Sequence, residues 1–120
     1  MTPMKKTILF TLFAPVFGFV LTAQAADVGN GRELATKKYA CMSCHGEGMN
    51  KPIDPTYPKL AGQYPDYIAQ ALRAYQRGGE GNGGRGNVIM AGQAKPLSRK
   101  EITDISAYIA SLPGDLIGGR

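Results

Sequence analysis

Residues 41–45 of this 120-residue chain read CMSCH, and they contain both of its cysteines and its only histidine. Two thiols separated by two residues and followed by an imidazole suggest either a metal site or thiol redox chemistry. A structural zinc ion needs four ligands, usually supplied as two separated pairs. Because the sequence contains no second cysteine or histidine cluster, the zinc interpretation is weak.

A thiol–disulfide redox pair is the second interpretation of CMSCH. Such a pair normally lies at the start of a helix that follows a buried strand within a βαβ unit. The residues before Cys41 do not predict a strand. Exported disulfide-exchange proteins exist, however, and this interpretation stays open on the sequence alone.

Covalent attachment of haem is the third interpretation, because Cys-x-x-Cys-His is its signature. Two thiols about one helical turn apart can bond to the two vinyl groups at one porphyrin edge, and the adjacent His45 can then reach the iron. Attachment uses both cysteines and supplies a small chain with a large apolar disc to fold around. We therefore favour one haem c, covalently attached through Cys41 and Cys44.

The second axial ligand of iron must come from another residue type, since His45 is the only histidine. Methionine pairs with histidine in such sites and raises the haem potential. Met42 lies inside the attachment segment and Met49 follows His45 by four residues, so both are too close to reach the opposite face. We predict His45 and Met90 as the iron ligands, and no catalytic residue.

The N-terminus predicts an export signal. A basic start, an uncharged run from Ile8 to Leu21 and small residues ending at Ala25 are typical of a cleaved signal peptide. The competing interpretation is a membrane anchor, but the run is shorter than the roughly 20 residues that span a bilayer, and Pro15 interrupts it. We expect a signal peptide over residues 1–25 and a single periplasmic domain over residues 26–120.

The charge of the chain argues against nucleic-acid binding. Removing the two leader lysines lowers the formal net charge from +5 to +3, and the remaining basic residues form no concentrated face. Lys37-Lys38 is typical of a solvated helix surface. We expect a monomer with no membrane span after cleavage, docking on other redox proteins.

Hydrophobic spacing predicts helices rather than strands. Helix formers run from Gly29 to Cys41, apolar residues recur at helical spacing from Pro65 to the glycines at 78 and 79, and Ser98 with Glu101 forms a capping box before the last helix. The glycine-rich stretch 78–86 predicts a mobile surface loop. The expected fold class is all-α with long irregular connections.

Four sequence blocks resemble the class I c-type cytochromes. They are CMSCHG at 41–46, YPKLAGQYPDYI at 57–68, the Met90 loop, and PLSRKEITDISAYIASLP at 96–113. The resemblance implies a helical fold around one haem and an electron carrier, not an enzyme, with dehydrogenases, reductases or oxidases as partners. Two alternatives stay open: a haem enzyme or gas sensor with a labile sixth ligand, and an electron-transfer subunit of a larger oxidoreductase.

The resemblance also implies roles for further residues. The Pro58 carbonyl would accept the Nδ1 hydrogen of His45, although a plain loop proline is an equal alternative. Tyr108 would pack in the core between the first and last helices. Candidate partners of the haem propionates are Gln63, Arg77 and Arg85.

Two features depart from the family pattern. Lys37 stands where the first helix usually carries an aromatic residue, and Tyr39 lies closer to Cys41, which predicts a local reorganisation of the helix crossing. The glycine content of residues 78–86 is also unusual, which bears on how rigidly Met90 is held.

Overall fold

The computed structural model describes residues 24–79, 81 and 83–115, and within these residues it contains helices and no strand. The predicted all-α class is therefore confirmed. The predicted signal peptide lies almost wholly outside the described residues. Within the described part, no helix combines the length and apolar character needed to cross a bilayer. The α-helices are α1 (Val28–Glu33), α2 (Met42–His45), α3 (Pro65–Arg77), α4 (Val88–Ala94) and α5 (Arg99–Ser111).

The first and last helices cross at a glycine. Gly31 of α1 is buried against α5, and a Cβ atom at this position would overlap the backbone of Asp104. Tyr108, one turn further along α5, also lies against Gly31 and is buried, as predicted. The absence of a side chain at Gly31 thus lets the two helix backbones approach closely.

A buried carboxylate fastens the start of α1 to α5. Asp104 is fully buried, and its oxygens accept hydrogen bonds from Asp27 N at 2.8 Å, Asn30 Nδ2 at 2.8 Å and Lys100 Nζ at 2.5 and 2.7 Å. Burial raises the pKa of Asp104, but these hydrogen bonds outweigh burial and lower it overall. The charge is therefore stabilised inside the helix crossing.

The predicted first helix differs from expectation in its second half. Residues Leu34–Lys38 form a π-helical segment, in which Tyr39 N donates to Leu34 O at 2.8 Å. The helix ends there, because Ala40 adopts a positive φ of 46°. The prediction that the helix continues into Cys41 is therefore wrong. The π-helical segment contains Lys37, whereas the reorganisation expected of the helix crossing itself stays a prediction.

The second and last predicted helices are confirmed. Proline occupies the first turn of α3, and Gly78 ends it with a φ of 76°. At the start of α5, Ser98 Oγ accepts from Glu101 N at 3.2 Å, and Glu101 Oε2 accepts from Ser98 N at 2.8 Å. Helix α4 was not predicted. Its N-terminus is capped by Asn87, whose side chain accepts from Met90 N at 3.0 Å.

The hydrophobic core lies between the π-helical segment, α3, α4 and α5 and extends under the loop that follows α2. Half-buried side chains, including Tyr39, Leu60 and Leu72, pack against it. The core residues are Leu34, Ala35, Met49, Ala61, Ile68, Ala69, Ala94, Leu97, Ile102, Ile105, Tyr108 and Ile109.

Candidate functional site

Helix α2 brings three of the four predicted site residues onto one turn. His45 N donates to Cys41 O at 3.1 Å, and Cys44 N approaches the same oxygen at 3.3 Å. The backbone then reverses at Gly46, where φ is 77° and a Cβ atom would overlap the Lys51 backbone. The two thiols and the imidazole are therefore presented by a short, tightly wound segment.

The His45 imidazole is buried and oriented by a backbone carbonyl. Its Nδ1 lies 2.9 Å from Pro58 O, and only 6 % of the residue is exposed. A carbonyl oxygen can only accept, so Nδ1 carries a hydrogen and Nε2 is the ring nitrogen left to face a metal ion. The carbonyl role expected for Pro58 is confirmed. In metal-binding histidines, a hydrogen bond from the ring nitrogen that does not contact the metal fixes the orientation of the imidazole.

The thiol environment does not match a dithiol redox catalyst. Cys41 and Cys44 are both half-buried and unpaired. Burial raises the pKa of the Cys41 thiol, whereas a reactive redox cysteine needs a lowered pKa. The surroundings of Cys41 therefore disfavour the thiol–disulfide interpretation.

The zinc interpretation also fails on geometry. Among residues 24–79, 81 and 83–115, no three or more histidine, cysteine and acidic side chains converge as metal ligands. A structural zinc site needs four converging ligands. The donors of CMSCH are thus arranged along a turn and do not surround a point.

Met90 lies apart from this turn, in the first half of α4. Its side chain is half-buried, while the neighbouring Val88 and Ile89 are 83 % and 54 % exposed. Met49, which the sequence argument set aside, is fully buried in the core. Of the methionines beyond CMSCH in the described residues, Met90 is therefore the one at the surface.

The glycine-rich loop before α4 is fastened to α3. Arg85 N donates to Ala74 O at 3.0 Å, and the Arg85 guanidinium lies 5.5 and 5.4 Å from the ring centres of Tyr67 and Tyr75. Arg77 Nη2 also donates to Gly83 O at 2.7 Å. These contacts link Gly83 and Arg85 to α3, and the predicted mobility of the loop stays a prediction.

The three candidate propionate partners each have a protein contact. Arg85 Nη2 donates to Tyr67 OH at 3.2 Å, and Arg77 contacts the glycine-rich loop. Gln63 Oε1 accepts from the following backbone N–H, that of Tyr64, at 2.8 Å. These contacts stabilise the chain itself.

Two polar contacts near the site were missed by sequence reasoning. Asn87 caps α4, and an Asn before an apolar run is a recognised N-cap signal that could have revealed the helix. Gln76 Nε2 donates to Ala94 O at 2.9 Å and Leu97 O at 2.8 Å. A glutamine near a helix end has no comparable sequence signal.

Residues 28–113 match the family model for cytochrome c. The chain belongs to the cytochrome c family. Membership of this family implies a covalently bound haem c, and the two thiols of α2 have the required spacing. The recognised resemblance is confirmed.

Several cytochromes are similar to this family member. Cytochrome c4 of Thiocapsa roseopersicina is 38 % identical over 92 residues, covering 76 % of this chain and 44 % of that protein. Cytochrome c-554(548) of Halomonas halodenitrificans is 36 % identical over 87 residues, covering 72 % of this chain and 98 % of that protein. The chain thus spans less than half of the c4 relative.

A solved cytochrome c4 has the same fold. The structure from Acidithiobacillus ferrooxidans, described as supporting a complex-induced tuning of electron transfer, superposes with a TM-score of 0.58 at 29 % identity. The match covers 75 % of this chain and 53 % of that chain.

The donor set of this cytochrome fits a c-type haem. Cys41 and Cys44 offer two unpaired thiols on one turn, and His45 offers Nε2 of an imidazole held by Pro58. Met90 offers a half-buried thioether on a separate helix. Thiols, imidazole and thioether are the groups that attach and ligate this cofactor.

Proposed function

We propose that this chain is an electron carrier with one haem c, attached through Cys41 and Cys44 and ligated by His45 and Met90. The observation that carries the proposal is the 2.9 Å hydrogen bond from His45 Nδ1 to Pro58 O, beside two unpaired thiols. It leaves His45 Nε2 available to ligate iron and fixes the orientation of the imidazole.

The residues of the chain would serve the cofactor in three ways. When bound, the haem supplies an iron that alternates between the ferrous and ferric states. The burial of His45 keeps water away from the imidazole, and Pro58 keeps its Nδ1 proton in place. Met90 would hold the iron together with His45, through the thioether that α4 presents. A site with both positions filled by protein favours electron transfer over bond chemistry.

We also propose that the chain acts in the periplasm as a monomer after cleavage following Ala25, with other redox proteins as partners. The basic start, apolar run and small residues of positions 1–25 support export. Transient docking on a partner is consistent with a small domain of mild net positive charge.

The proposal can be tested on the purified, exported protein by visible spectroscopy in both oxidation states. Haem that stays with the chain during acid extraction would establish attachment, and the haem-to-protein ratio should be one. Oxidised wild-type protein should show the methionine-to-iron charge-transfer band, and Met90→Ala should lose it. Tight binding of carbon monoxide by the reduced wild-type protein would instead support the enzyme or sensor alternative.

The export proposal needs its own measurement. N-terminal sequencing of the protein from a periplasmic fraction should begin at Ala26. Recovery of full-length chain in the membrane fraction would contradict cleavage and favour an anchor.

A further inference from the structure

The side chain of Gln76 joins α3 to the C-terminal end of α4, the helix that carries Met90. Its Nε2 donates to Ala94 O at 2.9 Å and to Leu97 O at 2.8 Å. Ala94 is the last residue of α4, and Leu97 directly precedes the Ser98 cap of α5. One amide group thus contacts both ends of the short connection between α4 and α5.

The Gln76 amide adds to the hydrogen bonds of this connection. Ala94 O already accepts from Leu97 N at 3.0 Å, so Gln76 is its second donor. Ala94 is fully buried and Leu97 is 8 % exposed, so water has limited access to this part of the backbone. The Gln76 amide therefore reinforces the pairing of Ala94 O and supplies a side-chain donor to Leu97 O, an acceptor in a backbone segment that is costly to leave unpaired.

The N-terminal end of α4 is held by separate contacts. Asn87 caps its N-terminus by accepting from Met90 N, and Arg85 in the preceding loop stacks on tyrosine rings of α3. Met90 consequently lies between one fastening before α4 and another after it. Because α4 is only seven residues long, its position depends on both fastenings.

We infer that Gln76 is a positioning residue for Met90. The inference rests on the proposed ligand role of Met90. Gln76 keeps α4 docked on α3, and this docking keeps the thioether available to iron. Loss of the amide donor increases the fraction of molecules in which α4 is displaced and the second axial position is open.

The experiment compares the oxidised holoprotein with two leucine variants. Gln76→Leu removes the donor, and Gln70→Leu makes the same change at an exposed position of the same helix. Added imidazole competes for iron when Met90 leaves, so the loss of the methionine-to-iron band reports the displaced fraction. We expect the half-maximal imidazole concentration to fall about tenfold in Gln76→Leu, equivalent to about 1.4 kcal/mol, and to stay near wild type in Gln70→Leu.

A second readout separates positioning from general destabilisation. Amide hydrogen exchange should accelerate in residues 90–97 of Gln76→Leu, while the amides of α1 and α5 exchange as in wild type. Gln76→Glu keeps the side-chain length but has no donor when ionised, and it should change imidazole binding in the same direction.

The outcomes distinguish this inference from the proposed function. A wild-type protein without the methionine-to-iron band would overturn Met90 ligation itself. A wild-type protein with the band, together with unchanged imidazole binding and exchange in Gln76→Leu, would overturn only the role of Gln76.

Discussion

Lys38 Nζ lies 2.7 Å from Glu101 Oε1, and this ion pair joins the segment before CMSCH to the first turn of α5. Tyr39 OH donates to the same oxygen at 3.0 Å. The other oxygen of Glu101 accepts from the backbone of Ser98 within the capping box. A single carboxylate therefore serves both as a helix cap and as a link between two parts of the fold.

Replacement of Glu101 should change the acid stability of the protein. The hydrogen bonds from Lys38 and then from Ser98 N–H lower the pKa of Glu101 from 4.5 to about 2. A lowered folded-state pKa stabilises the fold above the unfolded-state pKa, and this contribution is lost as pH falls from about 4.5 to about 2. Glu101→Gln should reduce the free energy of unfolding at pH 7 by about 1 kcal/mol, because solvent screens the partly exposed pair.

The measurement is denaturant unfolding of Glu101→Gln and wild type at pH 7 and at pH 3. The difference between the two proteins should shrink at pH 3. Glu33→Gln is a matched control, because the exposed Glu33–Lys37 pair should contribute little. A pH-independent difference would contradict the assigned role of the ionised carboxylate.

Asp104→Asn should be among the more destabilising polar substitutions. The fully buried carboxylate of Asp104 accepts hydrogen bonds from Asp27, Asn30 and Lys100. The amide of asparagine would replace one of its acceptor oxygens with a donor. We expect a loss of about 2–4 kcal/mol in the free energy of unfolding. Asp66→Asn, at an exposed position of α3, serves as the control. Equal effects of the two substitutions would refute the importance of the buried network.

Gly31→Ala tests the close approach of α1 and α5. The added methyl group would overlap the Asp104 backbone, so the helices must separate, at a cost of about 2–4 kcal/mol. Gly29→Ala is the control on the same helix, because its nearest neighbour is the Asp27 side chain at 3.3 Å. Thermal unfolding of both variants checks the expectation. A Gly31→Ala protein as stable as wild type would show that the crossing can relax.

The two methionines should respond in opposite ways to substitution. Met49→Ala should lower the free energy of unfolding by about 2–5 kcal/mol, because it leaves a cavity in the core, yet the methionine-to-iron band should persist. Met90→Leu should abolish the band and change the free energy of unfolding of the haem-free chain by less than about 1 kcal/mol, since the residue is only half-buried. Loss of the band in Met49→Ala together with its retention in Met90→Leu would show that Met49, and not Met90, ligates iron.

Local sequence signals predicted the elements in which each residue acts through its near neighbours. The capping box of α5 and the Cys-x-x-Cys-His turn are of this kind, because their geometry depends on residues three or four apart. Helix α4 escaped prediction because it is short and contains Gly92, so its apolar spacing is weak. The bonds from Gln76 join residues distant in sequence, and only the folded chain brings them together.

The widened turn at Leu34–Lys38 also has a consequence for how this domain compares with others of similar length. A π-helical turn accommodates one residue more than an α-helical turn over nearly the same rise. Removing one residue from this segment would rotate the preceding helix by about 100° relative to Tyr39 and the thiols. We therefore expect homologues with a regular first helix to be one residue shorter between the glycine of the helix crossing and the first cysteine of the Cys-x-x-Cys-His turn. In an alignment, a one-residue gap in this segment would indicate that the first helix is rotated. The Cys-x-x-Cys-His turn itself would be unchanged.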